Sequence, residues 1–508
     1  MTTAPFAFPD VSSPAQRGVL VRLWAGSALV AALSTGLIWE AMPGINWLLC
    51  VGVASAVLLA AARTQGTTRE VAPTLLLAGL VAIGIVTAAS EFLHALSILT
   101  VLVLLALAIA RSHPERYRTA RVLELAALPV IVFVTCVVEA TRRATETVRE
   151  LTTERAVPLI RGLVLTLPIT GLFALLLSSV DPTLSVWREN IERMLDSWEF
   201  LPRLVFFVAI LGLSLGALGY ALSSSVRPSQ AQSTRVPKPW LSLGETERLM
   251  VLGALAALFT LFLTLQLSYL FGDVARVRGS GISYAEWARR GFVELTVVAT
   301  LCGGVILWLA LNAPATRRPR LVLVLELIVL GETQVLLHSA FRRVLLYEDA
   351  YGFTTTRLYA QAYMLVVAAS LILLASELLR HPSARRVLGR AGALGVMALA
   401  SVSIWNHEAW IVRQNVARYM ETGKLDMKYL ACDLSARAVP EVLRAGERAG
   451  FVGKRLTHEA VAKRFAGRTP DAWYEWNLGR SRAERAIASA GIVPIAPAQS
   501  SVCNLEWD

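Results

Sequence analysis

Long apolar runs separated by short polar connections occupy the chain from about residue 19 to residue 405. Most runs reach about 20 residues, the length that an α-helix needs to cross a bilayer. The alternation over about ten residues that is typical of membrane-spanning strands does not occur. The pattern therefore predicts an all-α, polytopic bundle of about 11–12 transmembrane helices. We place candidate helices at 19–38, 46–62, 71–89, 93–110, 122–139, 158–179, 203–223, 248–271, 291–312, 320–340, 357–379 and 390–405.

The segment 122–139 leaves two topologies open. It begins and ends near acids, Glu124 and Glu139, and contains Pro129, so it either crosses the bilayer or lies in its interface. If every segment crosses, Lys and Arg are nearly balanced between the two sides. If this segment does not cross, basic residues concentrate in the cytoplasmic loops, as is usual for membrane proteins, and the C-terminus lies outside.

The polar and apolar pattern also divides the chain into parts. From Trp405 onward, charged residues recur every few positions and no apolar run reaches membrane length, which indicates a small, soluble, helical C-terminal domain. The predicted parts are a short N-terminal tail at 1–17, a four-helix membrane segment at 18–110, a membrane core with interfacial helices at 111–404, and the C-terminal domain at 405–508.

Composition agrees with a membrane protein and changes how the charge is interpreted. Hydrophobic residues make up 55% of the chain and charged residues 17%, with a mean hydropathy of +0.55. A net charge of +12 would suggest nucleic acid in a soluble protein. Here the arginines lie in short loops, so we expect anionic lipid headgroups as partners and no nucleic acid. A protein partner is expected for the C-terminal domain.

Sequence signatures of catalysis are sparse. The phosphate-binding G-x-x-x-x-G-K-[ST], the zinc-binding H-E-x-x-H and the nucleophile G-x-S-x-G are missing from the sequence. The five cysteines are scattered and fit neither a disulfide framework nor a zinc site. We therefore predict no catalytic residue, no metal and no cofactor.

The strongest intramembrane signal is a polar face on the helix at 320–343. At about 100° per residue, its polar side chains fall within one half of the helix surface, while Glu326 lies off that face. A polar face in a bilayer must turn toward protein or water, so it either packs against other helices or lines a path. The residues of this face are Glu332, Gln334, His338, Arg342 and Arg343.

A second motif precedes the helix at 291–312. Ser283 and Glu286 have the spacing of a capping box, which satisfies backbone N–H groups at a helix start. Tyr284 suits the headgroup level, and Arg289 can reach phosphates. The motif predicts an interfacial helix, and a lipid-headgroup site is the alternative.

A third motif is the polar stretch YEDAYGFTTTRLYAQAYM, residues 347–364. Gly352 and the threonines predict a turn followed by a new helix near Thr356. Arg357 then lies in the first helical turn, where the helix dipole disfavours a cation unless an acid offsets it. Glu348 and Asp349 are the nearest acids. We interpret the stretch as an interfacial or re-entrant corner.

Three segments resemble one family of bacterial multi-pass membrane proteins, catalogued as domain of unknown function 4173. The stretch 281–295 is similar to its S-Y-A-E-Y-A-R-x-G-F-x-E-L signature. The corner carries its Y-G-L-T-x-x-R-x-Y motif in Tyr351, Gly352, Thr354, Arg357 and Tyr359. The C-terminal part carries its N-P-D and L-D-x-x-Y-L segments in Asn406, Asn415, Arg418, Asp426 and Tyr429.

The resemblance covers roughly residues 160–485 and departs from the family at two places. His407-Glu408 stands where Pro-Asp is usual, and Arg437 replaces an aspartate, so roles that need those acids are not carried over. The resemblance implies an inner (cytoplasmic) membrane protein and supplies no activity.

The sequence leads to three hypotheses for function. The first is an integral membrane protein of unassigned activity with a sensing, scaffolding or assembly role in the cell envelope. The second is a transporter or flippase that uses the polar face at 320–343. The third is a membrane enzyme acting on lipid headgroups, with Glu332 or His338 as general base.

Overall fold

The computed structural model describes residues 14–119, 127–151, 200–222, 244–270, 292–312, 319–380, 383–448, 450–465 and 471–493. In these ranges every regular element is helical, which confirms the predicted all-α class. The α-helices are α1 (Pro14–Ile38), α2 (Ile45–Thr64), α3 (Thr68–Thr87), α4 (Glu91–Arg111), α5 (Pro114–Thr119), α6 (Leu128–Leu151), α7 (Phe200–Leu222), α8 (Glu245–Leu270), α9 (Phe292–Leu311), α10 (Arg320–Tyr351), α11 (Thr355–Leu378), α12 (Ala384–Ile404), α13 (His407–Thr422), α14 (Val439–Arg448), α15 (Gly450–Phe465) and α16 (Leu478–Ser489).

Ten helices in the described ranges are long and apolar enough to cross a membrane, namely α1 to α4 and α7 to α12. They coincide with ten of the predicted segments, which confirms a polytopic helix bundle. The predicted segment 158–179 lies outside the described residues. At 122–139 the structure has α6 instead, which starts at Leu128, runs on into a charged stretch ending at Leu151, and is not among the ten.

The chain forms two compact units. The first comprises residues up to Val86, Ile98–Pro228 and Asp471–Trp476. Its apolar core includes Leu23, Leu58, Leu75, Cys136 and Leu218. Helices α6 and α7 approach closely because Gly216 lacks a side chain: a Cβ there would lie 1.9 Å from the carbonyl oxygen of Cys136. Small residues allow such close helix packing in membranes.

The second unit comprises Thr87–Ser97, Ser229–Pro470 and the chain from Asn477 onward. In its membrane part, α10 packs against α8, α9 and α11. With 32 residues, α10 is about 48 Å long at 1.5 Å per residue. A hydrocarbon core is about 30 Å thick, so α10 is long enough to carry its C-terminal turns past the core.

The C-terminal helices α13 to α16 pack around their own apolar core, which includes Val412, Leu430, Leu443, Val461 and Ile487. A π-helical turn at Tyr429–Asp433 contains Cys432, which is disulfide-bonded. The scattered cysteines were expected to fit no disulfide framework, and they nevertheless include one disulfide-bonded residue, Cys432. Sequence spacing missed this bond because a disulfide requires proximity in the fold and not in the sequence.

A buried ion pair between α8 and α10 was also missed by the sequence patterns. Arg248 Nη2 lies 3.0 Å from Glu326 Oε1, and the two side chains are 2% and 0% exposed. Glu326 lies off the polar face of α10, as predicted, because it turns toward the first turn of α8. Removing one partner of such a pair leaves the other charge buried, at a cost of about 3–5 kcal/mol.

This ion pair leads to the first prediction. Glu326→Ala should lower the free energy of unfolding by about 3–5 kcal/mol, because Arg248 keeps its charge in an apolar site. The double variant Arg248→Met/Glu326→Leu should recover most of that loss, since both charges are gone. Unfolding of the purified protein in mixed micelles measures the difference.

The matched control is Glu441, which pairs with two exposed arginines: Arg413, 52% exposed, and Arg444, 63% exposed. Glu441→Ala should cost less than about 1 kcal/mol, as for other surface pairs. Equal losses in Glu326→Ala and in the double variant would show that the ion pair is not the source of the effect.

Candidate functional site

The corner between α10 and α11 has the turn that the sequence predicts. Helix α10 ends at Tyr351, and Gly352 follows with φ 84° and ψ 175°, a conformation open essentially to glycine alone. Thr354 is the N-cap of α11, and its hydroxyl accepts a hydrogen bond from the Arg357 N–H at 3.5 Å. The prediction of a turn and a new helix near Thr356 is confirmed.

The end of α10 exposes carbonyl groups that have no partner within the helix. Arg418, from α13, donates through Nε to the carbonyl oxygen of Asp349 at 3.0 Å, and through Nη2 to that of Ala350. Arg357 donates to the carbonyl oxygen of Gly352. Two cations thus lie at the negative end of the α10 dipole, where they are stabilising.

The charge of Arg357 is offset in part by an acid, as expected, because its guanidinium interacts electrostatically with Glu348. Its guanidinium lies between the carbonyl of Gly352 and the ring of Tyr347, whose centroid is 4.0 Å from Cζ. A cation over an aromatic face is attracted by the ring quadrupole. Glu348, one of the two expected acids, accepts a hydrogen bond from Gln361 at 2.6 Å.

Two side chains of the C-terminal region satisfy backbone groups of the corner. Asn415 accepts from the N–H of Phe353 and donates to its carbonyl oxygen, both at 2.8 Å. The hydroxyl oxygen of Tyr429 accepts from the N–H of Thr355 at 2.7 Å. Asp426 orients Tyr429 by accepting from its N–H at 2.9 Å. These bonds fasten the turn to α13 and to the segment after it.

A second helix end, that of α12, is capped in the same way. Arg437 donates through Nη1 to the carbonyl oxygen of Ser403 at 2.7 Å and through Nη2 to that of Ile404. The side chain is buried, and burial lowers its pKa to about 10, so it stays charged at neutral pH. An aspartate, which the resembled motif has at this position, could not donate these bonds.

Buried polar groups surround Arg437. Glu408 is 2% exposed and accepts from the N–H and the hydroxyl of Ser435, at 3.2 and 2.5 Å. Burial raises the pKa of Glu408, and the nearby Arg437 acts in the opposite direction. Asn406 begins α13 by accepting from the N–H of Ala409 at 3.3 Å. Glu408 and Arg437, which both depart from the motifs of the resembled family 4173, interact electrostatically here.

His407 links this group to α11. Its Nδ1 lies 3.1 Å from the carbonyl oxygen of Val402, which can only accept, so we assign the proton to Nδ1. Nε2 then accepts from the hydroxyl of Tyr359 at 3.0 Å. Burial is the main cause that lowers the pKa of His407 to about 4. The imidazole is therefore neutral at pH 7.

The segment Thr87–Ser97 completes this cluster. The hydroxyl of Thr87 donates to the carbonyl oxygen of Ser403 at 2.9 Å. Asn477 donates to the carbonyl oxygen of Ala88 at 2.5 Å. The ring of Phe92 stacks on Tyr359, with centroids 5.6 Å apart. Asn477 belongs to the stretch 473–483, which is similar to the closing W-N-x-x-R-x-R-A motif of the resembled family. The sequence patterns did not single out Thr87 or Phe92, because their role exists only where distant chain segments meet.

We call this cluster the helix-end junction. It consists of the ends of α10 and α12, the start of α11 and the side chains of α13 and beyond that bind them. Ten of the residues predicted from the family motifs belong to it: Tyr351, Gly352, Thr354, Arg357, Tyr359, Asn406, Asn415, Arg418, Asp426 and Tyr429. The structure thus brings two of the three predicted motifs into one site.

The predicted polar face of α10 is divided between two neighbours. Glu332 accepts from the hydroxyl of Thr260 in α8 at 2.5 Å. Gln334 donates to the carbonyl oxygen of Ala368 in α11 at 2.8 Å. Both bonds are interhelical contacts of the kind that fix packing in membranes.

The other predicted residues are placed differently. His338 and Arg342 are exposed on the helix surface, whereas Arg343 is buried. The residues of the predicted polar face therefore do not share one environment: two bond to other helices, two are exposed and one is buried. The interfacial motif lies outside the described residues, namely Ser283, Tyr284, Glu286 and Arg289.

The turn gives the second prediction. Gly352→Ala should lower the free energy of unfolding by about 3 kcal/mol or more, because strained φ/ψ alone costs about 1–3 kcal/mol. In addition, the new Cβ would lie 2.4 Å from Asn415 Oδ1. Gly423→Ala is the control: its φ is 70° but a Cβ there meets nothing within 4 Å, so a cost of about 1–2 kcal/mol is expected. Chemical denaturation measures both, and equal losses would contradict the contact.

His407 gives the third prediction, with the sign set by its lowered pKa. The unfolded chain takes up a proton at a pKa near 6.5, whereas the folded chain does so only near pH 4. Stability is complete above about pH 6.5 and falls toward pH 4, by at most about 1.4 kcal/mol per pH unit. Denaturation midpoints across this range should show the loss.

His407→Gln is the control, because glutamine keeps the hydrogen-bonding groups without titrating. In this variant the acid-induced loss should shrink. Glu408 acts in the opposite direction, since its raised pKa makes stability fall as pH rises above about 4.5. An unchanged acid profile in His407→Gln would exclude the histidine as the cause.

Comparison with known proteins gives the family. Among curated proteins and among solved structures no match is found. A family model described as Domain of unknown function (DUF4153) matches residues 75–445, more than half of the chain. Its number differs from 4173, the one that the resemblance predicted, and the family likewise has no assigned function. The match includes the corner and Arg437. The chain, a multi-pass membrane protein of the helix-bundle type, therefore belongs to the DUF4153 family.

Proposed function

We propose that this protein is a non-enzymatic scaffold or sensor in the inner membrane of the bacterial cell envelope. In this proposal the membrane helices hold the C-terminal helices in a defined position, where they meet a protein partner. The observation that carries the proposal is the capping of α10 and α12 by Arg418 and Arg437. Anionic lipid headgroups are proposed to bind the exposed arginines at the membrane surface.

The energetics support a firm attachment. A hydrogen bond with a charged partner contributes about 1.5–3 kcal/mol, and each arginine makes two. Asn415 and Tyr429 add bonds to backbone groups that would otherwise lack partners at the corner. The C-terminal helices therefore follow movements of α10 and α12, which is what a sensor needs, or remain fixed on them, which is what a scaffold needs.

Transport or lipid flipping is the second candidate. One observation favours it: Oε2 of Glu332 is buried and makes no hydrogen bond in the part of the chain that the structure describes. Such a carboxyl in a membrane helix is suited to carrying a proton. The bonds of Glu332 and Gln334 to different helices favour packing instead. A headgroup-modifying enzyme would depend on the same Glu332 or on His338.

The fourth prediction separates these candidates in cells that lack the chain. A scaffold or sensor predicts that Arg418→Met/Arg437→Met fails to restore the envelope phenotype, because the C-terminal helices lose their caps. Glu332→Gln and His338→Leu should restore it fully. Growth under envelope stress, compared at equal membrane abundance, measures the outcome.

Arg413→Met is the matched control, because Arg413 lies on α13 like Arg418 but pairs with Glu441 at an exposed position. It should restore the phenotype. The opposite pattern, with Glu332→Gln inactive and the double arginine variant active, would favour transport. Turnover of lipid-linked precursors by the purified protein would instead establish an enzyme.

A further inference from the structure

Helix α6 lies beside α7 in the first compact unit, and the two helices run in the same direction. A Cβ on Gly216 of α7 would meet the backbone of Cys136, and a Cβ on Gly219 would meet the side chains of Glu139 and Arg143. The contacts therefore advance together along both helices. Because α7 is long and apolar enough to cross a membrane, its residues give the depth of α6 in the bilayer.

Helix α6 begins part of the way along α7. At 1.5 Å per residue, Leu128, its first residue, lies about 12 Å before the level of Cys136 and Gly216. Phe200, the first residue of α7, lies about 24 Å before the same level. The start of α6 is therefore about 12 Å away from the membrane surface at which α7 starts, inside a hydrocarbon core that is about 30 Å thick.

The residues before and after the first half of α6 meet the same end of α7. His113 directly precedes α5, and its Nε2 lies 2.7 Å from the carbonyl oxygen of Tyr220, two residues before the end of α7. Arg143 of α6 lies beside Gly219, also at that end. The chain therefore approaches α6 and leaves its first half at one membrane surface.

The charge pattern of α6 changes at the depth where α7 ends. Residues 128–138 carry no charge, and Glu139 is the first ionisable group. Glu139 pairs with Arg143 at 2.9 Å. One turn further, the indole N–H of Trp24 donates to the hydroxyl of Thr147 at 3.1 Å. Tryptophan is typical of the headgroup level, so the charged half of α6 begins where the hydrocarbon core ends.

The apolar half of α6 packs on α7 through one face and leaves the other face uncovered. Leu128, Val132 and Cys136 are buried at intervals of four residues. The other large apolar side chains are 40–66% exposed, which is unusual for a continuous surface in contact with water. They are Val130, Ile131, Phe133, Val134, Val137 and Val138.

Pro129 suits a helix that starts inside a bilayer. The first N–H groups of a helix have no partner within it, and hydrocarbon supplies no water to bind them. Pro129, the second residue of α6, has no N–H, and the N–H of Ile131 donates to the carbonyl oxygen of Ala127 at 3.0 Å. The proline therefore lowers the number of donors that need a partner at this depth.

We infer that α6 is a re-entrant helix. Its apolar half inserts into the bilayer from the surface at which α7 ends, does not cross, and presents its exposed face to lipid acyl chains. Its charged half emerges at the same surface. The partner of this face is lipid and not protein, and the inference does not depend on the proposed scaffold or sensor role.

Spin labels measure the depth. Every cysteine that the nitroxide reagent labels in the unaltered chain is replaced by alanine, and Val130→Cys, Val134→Cys and Val138→Cys are labelled one at a time. The full chain is reconstituted into vesicles of phosphatidylethanolamine and phosphatidylglycerol. Collision with oxygen and with a nickel chelate gives the depth of each label. We expect Val134 about 6 Å and Val138 about 12 Å shallower than Val130.

Val208→Cys on α7 is the matched control for depth. Val208 is 55% exposed, and its label should lie within about 3 Å of the depth of the label at Val130. Equal depths at the three positions on α6 would show a helix lying in the interface and overturn the insertion. Low access to both reagents, with dipolar broadening between chains, would show a second copy on this face and overturn the lipid contact.

Sidedness separates re-entry from a complete crossing. In intact cells, Glu115→Cys before α6 and Arg142→Cys within it should react with a membrane-impermeant maleimide from the same side. Met42→Cys is the matched control, because Met42 is 46% exposed and follows α1 at its other end, so it should react only from the opposite side. Reaction of Glu115→Cys and Arg142→Cys from opposite sides would overturn the re-entry.

A second pair of variants keeps every cysteine, in case the altered background does not fold. Val130→Lys should lower the amount of folded protein in membranes roughly fivefold or more, because the cation would lie deep in hydrocarbon. Val138→Lys should change it by less than about twofold, since lysine there can reach the surface. Equal amounts of the two variants would contradict the depth difference.

Discussion

The C-terminal ends of α10 and α12 impose the constraint on which the rest of the junction depends. A helix leaves its last carbonyl groups without partners, and at a crowded helix end these groups cannot all turn to water. Arg418 and Arg437 donate to them and place positive charge at the negative end of each dipole. The C-terminal region thus supplies the hydrogen-bond donors that cap the ends of α10 and α12.

The turn between α10 and α11 also depends on side chains that bond to unpaired backbone groups. A sharp reversal directly after α10 needs the unusual backbone of Gly352 and leaves the backbone groups of Phe353 outside either helix. The N–H of Thr355, in the first turn of α11, has no partner within that helix. Asn415 and Tyr429 satisfy them. Because each of these side chains has a backbone partner, the corner cannot change shape without breaking bonds to the C-terminal region. Movement of α10 and movement of α13 are coupled by that geometry.

Inside the membrane helices, charged side chains pair with each other and do not cap helix ends. Arg248 and Glu326 neutralise each other between α8 and α10, where neither charge could remain alone. Glu332 bonds to Thr260 of α8, and Gln334 bonds to Ala368 of α11. Polar contacts therefore connect α10 to three other helices. Glu326 and Glu332 bind α8, Gln334 binds α11, and the C-terminal carbonyl groups bind α13.

The sequence by itself determined the helical class, the ten described spans and the turn at Gly352, because hydrophobic periodicity and glycine conformation are local properties. Family motifs also marked Asn415 and Arg418 without giving their role. Only the tertiary structure decided what these residues bind, that Arg248 pairs with Glu326, and that Cys432 is cross-linked. Partners separated by tens of residues leave no periodic trace in the sequence, and backbone carbonyl acceptors carry no residue identity that a motif could record.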